Sequence, residues 1–260
     1  EAHLFKAKSL TSIMSKLHLC KYRFGLTGTL DDLQTHKLVL EGLFGTVNKV
    51  ISTKELIEKK TLANLKIDSL ILGYKEQECK DVKNLKYADE MDYIVTHKKR
   101  LSFITNLLGN VKGNVLVLYQ FVEKHGKPLY DTIKEKYKNR NVFFVSGSVD
   151  ALDREKIREI SEKTNNAVIV ASYGTFSTGI NIKNLHNIIF SSPSKSKIRV
   201  LQSIGRGLRL NDNKEMCKLF DIADDLTYKG KQNFTLRHFM ERINIYNEEQ
   251  FDYTIHRINI

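Results

Sequence analysis

The sequence predicts an α/β chain built on a parallel, doubly wound sheet. Short, nearly continuous apolar runs recur at Val115-Leu116-Val117-Leu118-Tyr119, Val142-Phe143-Phe144-Val145, Ala167-Val168-Ile169-Val170-Ala171 and Asn187-Ile188-Ile189-Phe190. Runs that do not alternate with polar residues suit strands covered on both faces, as a parallel sheet requires. Helical patterns near 127–138 and 151–163 fall between these runs, so strand and helix alternate. Only two prolines, Pro128 and Pro193, interrupt the chain, and neither a low-complexity segment nor an internal repeat is visible.

Four regions follow in order. Residues 1–75 mix helical periodicity with short strand-like runs, and Tyr22-Arg23-Phe24-Gly25-Leu26-Thr27-Gly28-Thr29 reads as a strand entering a loop. Residues 76–110 become charged and helical, a connector that ends in the amphipathic stretch 101–108 and begins the next domain. Residues 111–235 hold the alternating strands and helices. In 236–260, Leu236, Phe239, Met240, Ile243 and Tyr246 recur at helical spacing, which predicts a C-terminal helix packing an apolar stripe onto the body.

Composition narrows the partners. At 260 residues and 41% hydrophobic, the chain can bury one large core or two modest ones. Lys and Arg number 42 against 30 Asp and Glu, a net charge of +12 that favours a polyanion, with nucleic acid first among the choices. A generic basic surface remains compatible with charge alone, because no long Lys/Arg block marks a binding tail. Cys20, Cys79 and Cys217 are far apart and lack C-x-x-C spacing, which argues against a zinc or redox pair and for ordinary buried thiols. No apolar run approaches the ~20 residues that cross a bilayer, and no signal-peptide pattern opens the chain. A soluble, cytoplasmic protein without membrane contact is expected. The first residue is Glu rather than Met, so the chain is expected to be part of something longer.

The most informative stretch is Arg199-Val200-Leu201-Gln202-Ser203-Ile204-Gly205-Arg206-Gly207-Leu208-Arg209. Wound as a helix at ~100° per residue, it places Arg199, Gln202, Arg206 and Arg209 within about a quarter of the circumference, while Ile198, Leu201, Ile204 and Leu208 gather on another side. Gly205 and Gly207 inside such a helix each cost about 0.5–1 kcal/mol relative to Ala, which suits a close approach by a backbone or a phosphate. Arginines three residues apart can grip one oxyanion through charge-assisted, bidentate hydrogen bonds. Spacing alone is equally compatible with a solvated basic face.

The string Gln202-x-x-Gly205-Arg206-x-x-Arg209 resembles motif VI of the superfamily 2 helicases, and further resemblances occur in the family's order. Residues 168–182, from Val168 through Ser172, Thr175 and Gly179 to Asn181, look like motif V. Val115-Leu116-Val117-Leu118-Tyr119-Gln120 resembles motif IV, and Phe144-Val145-Ser146-Gly147-Ser148 followed by Arg154 resembles the next backbone-contacting loop. Glu1-Ala2-His3 looks like the end of the Asp-Glu-Ala-His motif II, and Leu26-Thr27-Gly28-Thr29 like motif III.

This resemblance implies a RecA-like second helicase domain, preceded by the C-terminal remainder of a first RecA-like domain. It implies ATP and Mg²⁺ as cofactors, with Arg206 and Arg209 as arginine fingers toward the γ-phosphate and Gln202 holding the nucleotide. Gly179 and Asn181 would lie near the ATP, although many members carry Asp where Asn181 stands. Ser146, Gly147, Arg154, Ser172 and Thr175 would contact a nucleic-acid backbone. Glu1 would orient the attacking water, while His3, Thr27, Gly28 and Thr29 would couple ATP state to the strand. The Mg²⁺-binding Asp is expected just before Glu1, and no metal ligand within the chain. No G-x-x-x-x-G-K-[ST] phosphate loop occurs in the 260 residues, so the chain alone is expected not to hydrolyse ATP.

The likeness extends to bacteriophage members of the family. It implies a helicase acting on branched DNA and RNA:DNA hybrids, including R-loops and migrating junctions, in recombination, replication and repair, together with a missing N-terminal RecA-like half. Two alternatives remain: the translocating subunit of a restriction-type system, and a non-enzymatic nucleic-acid-binding module.

Overall fold

The computed structural model describes every residue except 1, 3–6, 29, 31–33, 176–181 and 212–213, and the side chains of 7 and 34–36 likewise stand outside the description. Seven strands form one sheet: β1 (Asn64–Gly73), β2 (Val115–Tyr119), β3 (Asn141–Val145), β4 (Ala167–Ser172), β5 (Asn187–Phe190), β6 (Met216–Asp225) and β7 (Tyr253–Asn259). Their order is β3-β4-β2-β5-β6-β1-β7, and every ladder is parallel. The expected α/β fold with a doubly wound parallel sheet is therefore what the chain adopts.

Alternate residues of the central strands supply two cores. Leu116 and Leu118 of β2, with Ile169 of β4 and Ile188 and Phe190 of β5, bury against one layer of helices. That layer includes α9 (Lys197–Gly207) through Val200 and Ile204, and α10 (Phe234–Glu248) through Phe239, Ile243 and Tyr246. Val115, Val117 and Tyr119 point the other way, with Val168 and Val170, onto α6 (Lys98–Leu107) and α7 (Lys127–Lys136) through Ile104, Leu129 and Ile133. A parallel sheet needs both faces covered, and these runs are apolar throughout because both faces are core.

Local chemistry sets several boundaries. Pro128 stands in the first turn of α7, where its missing N–H has no intrahelical acceptor to lose. A π turn at Val122–Gly126 leads into α7, which ends at Lys136 rather than 138. Asp150 caps α8 (Ala151–Lys163) by accepting from the Asp153 backbone N–H at 2.8 Å. Upstream, α4 (Glu76–Val82) and α5 (Tyr87–Thr96) form the charged connector with α6. Helices α1 (Ala7–Lys16), α2 (Gln34–Phe44) and α3 (Thr53–Glu58) precede β1. Leu10, Met14 and Leu40 of α1 and α2 share a small core of their own.

Several expectations change. Residues 22–27 form no strand; Tyr22, Phe24 and Leu26 are 71%, 81% and 79% exposed. Alternating apolar residues become a strand only within a ladder, and this segment is none of the described strands of the sheet. The division at 75 also shifts, because β1 lies before it yet is hydrogen bonded to β6 on one side and β7 on the other. Residues 236–260 are not only helix, since β7 closes one edge of the sheet. Cys79 and Cys217 are buried as expected, and burial pushes the Cys217 thiol up to about 12; Cys20 is exposed. No helix among the described residues is long and apolar enough to cross a membrane.

Strand β6 was hidden in the sequence because it carries Asp221, Asp224 and Asp225. The structure explains two of these. Arg242 of α10 donates to both Asp221 oxygens, while Arg100 of α6 donates to both Asp224 oxygens at 2.7 and 3.1 Å. All four side chains are essentially inaccessible to solvent. Buried carboxylates are tolerated only when paired in this way.

Candidate nucleotide and nucleic-acid site

Because the strands are parallel, the loops that leave β3, β4, β2 and β5 stand side by side along one edge of the sheet. The carboxyl edge of such a sheet is where ligands of open α/β folds bind. The loop after β3 buries Ser146, whose hydroxyl shares a 2.8 Å hydrogen bond with that of Ser148, and leaves Gly147 exposed. Arg154 reaches the Gly147 carbonyl at 3.4 Å, and its buried Nε has no hydrogen-bond partner among the described residues. The structure thus brings together Ser146, Gly147 and Arg154.

After β4, the Ser172 hydroxyl accepts from the Thr175 backbone N–H at 3.2 Å and donates to Thr175 Oγ1 at 2.8 Å. The two hydroxyls cap the turn, and Thr175 is buried beneath it. Of the remaining expected residues, Gly179 and Asn181 lie outside the described residues, as do Glu1, His3 and Thr29. Thr27 and Gly28 fall in the exposed irregular segment of the chain rather than at a strand end.

The loop between β5 and α9 is pinned from several sides. Ser191 Oγ donates to the Leu118 carbonyl at 2.6 Å, Tyr173 donates to the Ser192 carbonyl at 3.1 Å, and Arg242 donates to the Ser194 carbonyl at 2.9 Å. His125 meets Ser192 Oγ at 2.9 Å, and burial holds its imidazole well below the usual range. Ser196 then caps α9 by accepting from the Arg199 backbone N–H at 3.4 Å.

Along α9, Val200, Ser203, Ile204 and Gly207 are buried, Arg199 and Gly205 are exposed, and Gln202 and Arg206 are half-buried. Arg199, Gln202 and Arg206 therefore share the outer face that the helical spacing predicts. Arg209 does not extend that face, because the helix ends at Gly207 and Arg209 lies in the turn beyond. What stops the helix is Lys214, whose buried ammonium donates to the carbonyls of Gly207, Arg209 at 2.8 Å and Lys183 at 3.2 Å. It satisfies carbonyls left without partners at the helix terminus. Burial lowers its pKa from the usual lysine value. A lone Lys in a polar turn carries no pattern, so this tie between the end of α9 and the segment entering β5 was not visible in the sequence.

The two glycines of α9 serve different ends. A Cβ on Gly207 would meet Ile188 Cδ1 at 2.5 Å and Cys217 Sγ at 2.7 Å, so this glycine lets the helix pack on the sheet. A Cβ on Gly205 would meet nothing within 4 Å. Gly207→Ala is expected to destabilise the fold by about 1–3 kcal/mol through overpacking. Gly205→Ala should raise stability by about 0.5–1 kcal/mol. Thermal unfolding of the two variants checks both signs.

Comparison with known proteins places this geometry. Residues 99–211 match the helicase conserved C-terminal domain. Over its whole length the chain is 36% identical to the ATP-dependent DNA helicase UvsW of Enterobacteria phage T4, and it spans 54% of that protein. The crystal structure of T4 UvsW matches 100% of the chain and 53% of its own, with a TM-score of 0.66 and 35% identity. The DNA-bound Type ISP restriction-modification enzyme LlaBIII matches 93% of this chain and 18% of its own, with a TM-score of 0.57; at 16% identity that shows a shared fold alone. The chain spans about half the length of the T4 relative. With a RecA-like parallel sheet, the chain carries a helicase conserved C-terminal domain across 99–211 and is similar along its whole length to the helicase UvsW.

Proposed function

We propose that the chain is the second motor domain of an ATP-dependent helicase or translocase that works on DNA and RNA:DNA hybrids in the cytoplasm. The observation that carries this is the outer face of α9, where Gln202 and Arg206 flank Gly205 and no side chain stands over the glycine. A phosphate-bearing surface can approach there. The complementary surface belongs to a domain with a phosphate loop, which these 260 residues do not contain. The motor complete with such a domain is termed the complete motor below.

In this scheme Arg206 neutralises charge on the transferred phosphoryl group, and Gln202 orients the nucleotide. Arg209, anchored through its carbonyl by Lys214, approaches from the turn rather than from the helix. ATP supplies the free energy of phosphoryl transfer, with Mg²⁺ as its counter-charge. Mg²⁺ is assigned to the phosphate-loop domain. Arg154, with its unpaired Nε beside the exposed Gly147, and Ser172 would contact the strand backbone at the carboxyl edge of the sheet. Contacts to backbone rather than to bases leave sequence preference slight. Helices α1 and α2, with their separate small core, are assigned to the neighbouring RecA-like unit.

The test is ATP hydrolysis by the complete motor with single strand, duplex, fork and R-loop as activators. Stimulation greatest with forks and R-loops is expected. Best stimulation by linear duplex would assign the chain to a duplex translocase, and no stimulation by any of them would leave a binding module. Affinity for DNA should fall steeply between 50 and 200 mM salt, as phosphate contacts by Lys and Arg release counterions. A flat salt response in a fluorescence-anisotropy titration would remove the backbone-tracking role.

A further inference from the structure

A cavity of about 480 Å³ opens at the carboxyl edge between β2 and β5. In the strand order, the chain leaves β2 toward β3 on one side and leaves β5 toward β6 on the other. Adjacent strands with diverging connections create the crevice in which open α/β sheets hold ligands. Nothing in the motor scheme above uses it.

The lining is aromatic and cationic. Tyr87, at the start of α5, stands edge-on to Phe234 and His238 of α10, with centroids 6.1 and 5.1 Å away and planes inclined at 70° and 62°. Tyr87 and Phe234 remain 40% and 36% exposed. Lys195 and Arg199 are exposed on the same wall, and among the described residues neither side chain forms an ion pair. Gln120 lines the opposite side from the end of β2. His238 Nδ1 is buried and has no hydrogen-bond partner among the described residues. Burial, with the charge of Lys195 next, lowers the pKa of that imidazole.

The nearby acid is held by the start of α10. Glu90 is buried, and its carboxylate accepts from the backbone N–H groups of Phe234 and Thr235 at 2.9 and 2.7 Å. Its charge is thus directed into the N-terminus of α10, where anions are stabilised.

We propose that this cavity is a subsite for one nucleotide unit of a single-stranded nucleic acid, its base against Tyr87 and Phe234 and its phosphate on Lys195 and Arg199. Exposed aromatic rings beside unpaired cations are how sequence-tolerant single-strand binders hold successive bases. The proposal rests on the nucleic-acid reading above and adds a base contact to it. Arg199 and Arg206 lie seven residues apart on one helix, about 10 Å. One rigid rod therefore links this base to the arginine at the nucleotide.

The test uses the complete motor, a 2-aminopurine-labelled oligodeoxythymidylate, a blunt duplex and AMP, with Tyr87→Ala, Tyr87→Phe and Arg199→Gln. Tyr87→Ala is expected to weaken single-strand binding about 5- to 100-fold and to reduce the quenching of 2-aminopurine. Tyr87→Phe should retain both, and duplex affinity should not change. Arg199→Gln, an exposed change that spares folding, should lower the salt slope of single-strand binding by about one unit.

Unchanged single-strand affinity and quenching in Tyr87→Ala, or equal loss in Tyr87→Phe, overturns the subsite. So does AMP binding that depends on Tyr87 while the oligonucleotide's does not, which would make a free nucleotide the occupant. Nucleic-acid-stimulated ATPase of the unmodified motor is measured in parallel. Its absence counts against the motor, whereas its presence with a silent Tyr87→Ala counts against the subsite alone.

Discussion

Arg206→Ala in the complete motor is expected to lower ATP turnover by about 10³–10⁵-fold and to leave nucleic-acid affinity nearly intact. The size follows from where the charge acts. A guanidinium aimed at a transferring phosphoryl group interacts most strongly when negative charge spreads over that group, so its loss falls on kcat rather than on binding. The fold gives Arg206 a rigid base, because Val200, Ile204 and Leu208 bury the opposite side of α9 and Lys214 ties down its end. Arg206→Lys should recover little, because an ammonium does not reproduce the planar fork of donors. Single-turnover hydrolysis separates chemistry from nucleotide binding. Turnover unchanged in Arg206→Ala would remove the assigned role.

Breaking the Arg242–Asp221 pair should produce the largest loss of stability. Arg242→Met or Asp221→Ala is expected to destabilise by about 3–5 kcal/mol, because each leaves the partner's charge buried without compensation. For a chain of this size that corresponds to a fall in Tm of about 6–20 °C. The arginine also donates to the Ser194 carbonyl, and Tyr246 donates to Asp221 at 2.8 Å, so one deletion disturbs the loop that launches α9. The pair Asp221→Leu with Arg242→Met should lose less than either single change, since an apolar replacement of both partners leaves no buried charge. Calorimetry on the three variants measures the difference. A single variant that melts within about 2 °C of the parent would show the pair to be dispensable.

These two arginines mark how far the residues could be read without coordinates. Val115 to Tyr119, Ala167 to Ala171 and Asn187 to Phe190 announced themselves as strands because both of their faces are core, and an unbroken apolar run has few other uses. The outer face of α9 was legible for a related reason. Helical spacing is local, so Arg199, Gln202 and Arg206 had to share a side once the helix formed. The polar ends of β3 and β4 could likewise be named as candidates from strand-then-glycine and strand-then-hydroxyl patterns.

Tertiary structure alone decided the rest. Asp221 and Asp224 disguised β6 until arginines from α10 and α6, distant in sequence, neutralised them inside the core. Residues 22–27 carried a strand's alternation but lie outside the described strands of the sheet, and alternation by itself does not make a ladder. Arg209 left the helical face because a buried Lys214 captured the last carbonyls of α9. The cavity of Tyr87, Arg199 and Phe234 exists because strand order brings three distant segments to one crevice. Periodicity is written in neighbours along the chain, whereas pairing, charge compensation and clefts depend on which distant residues the fold brings together.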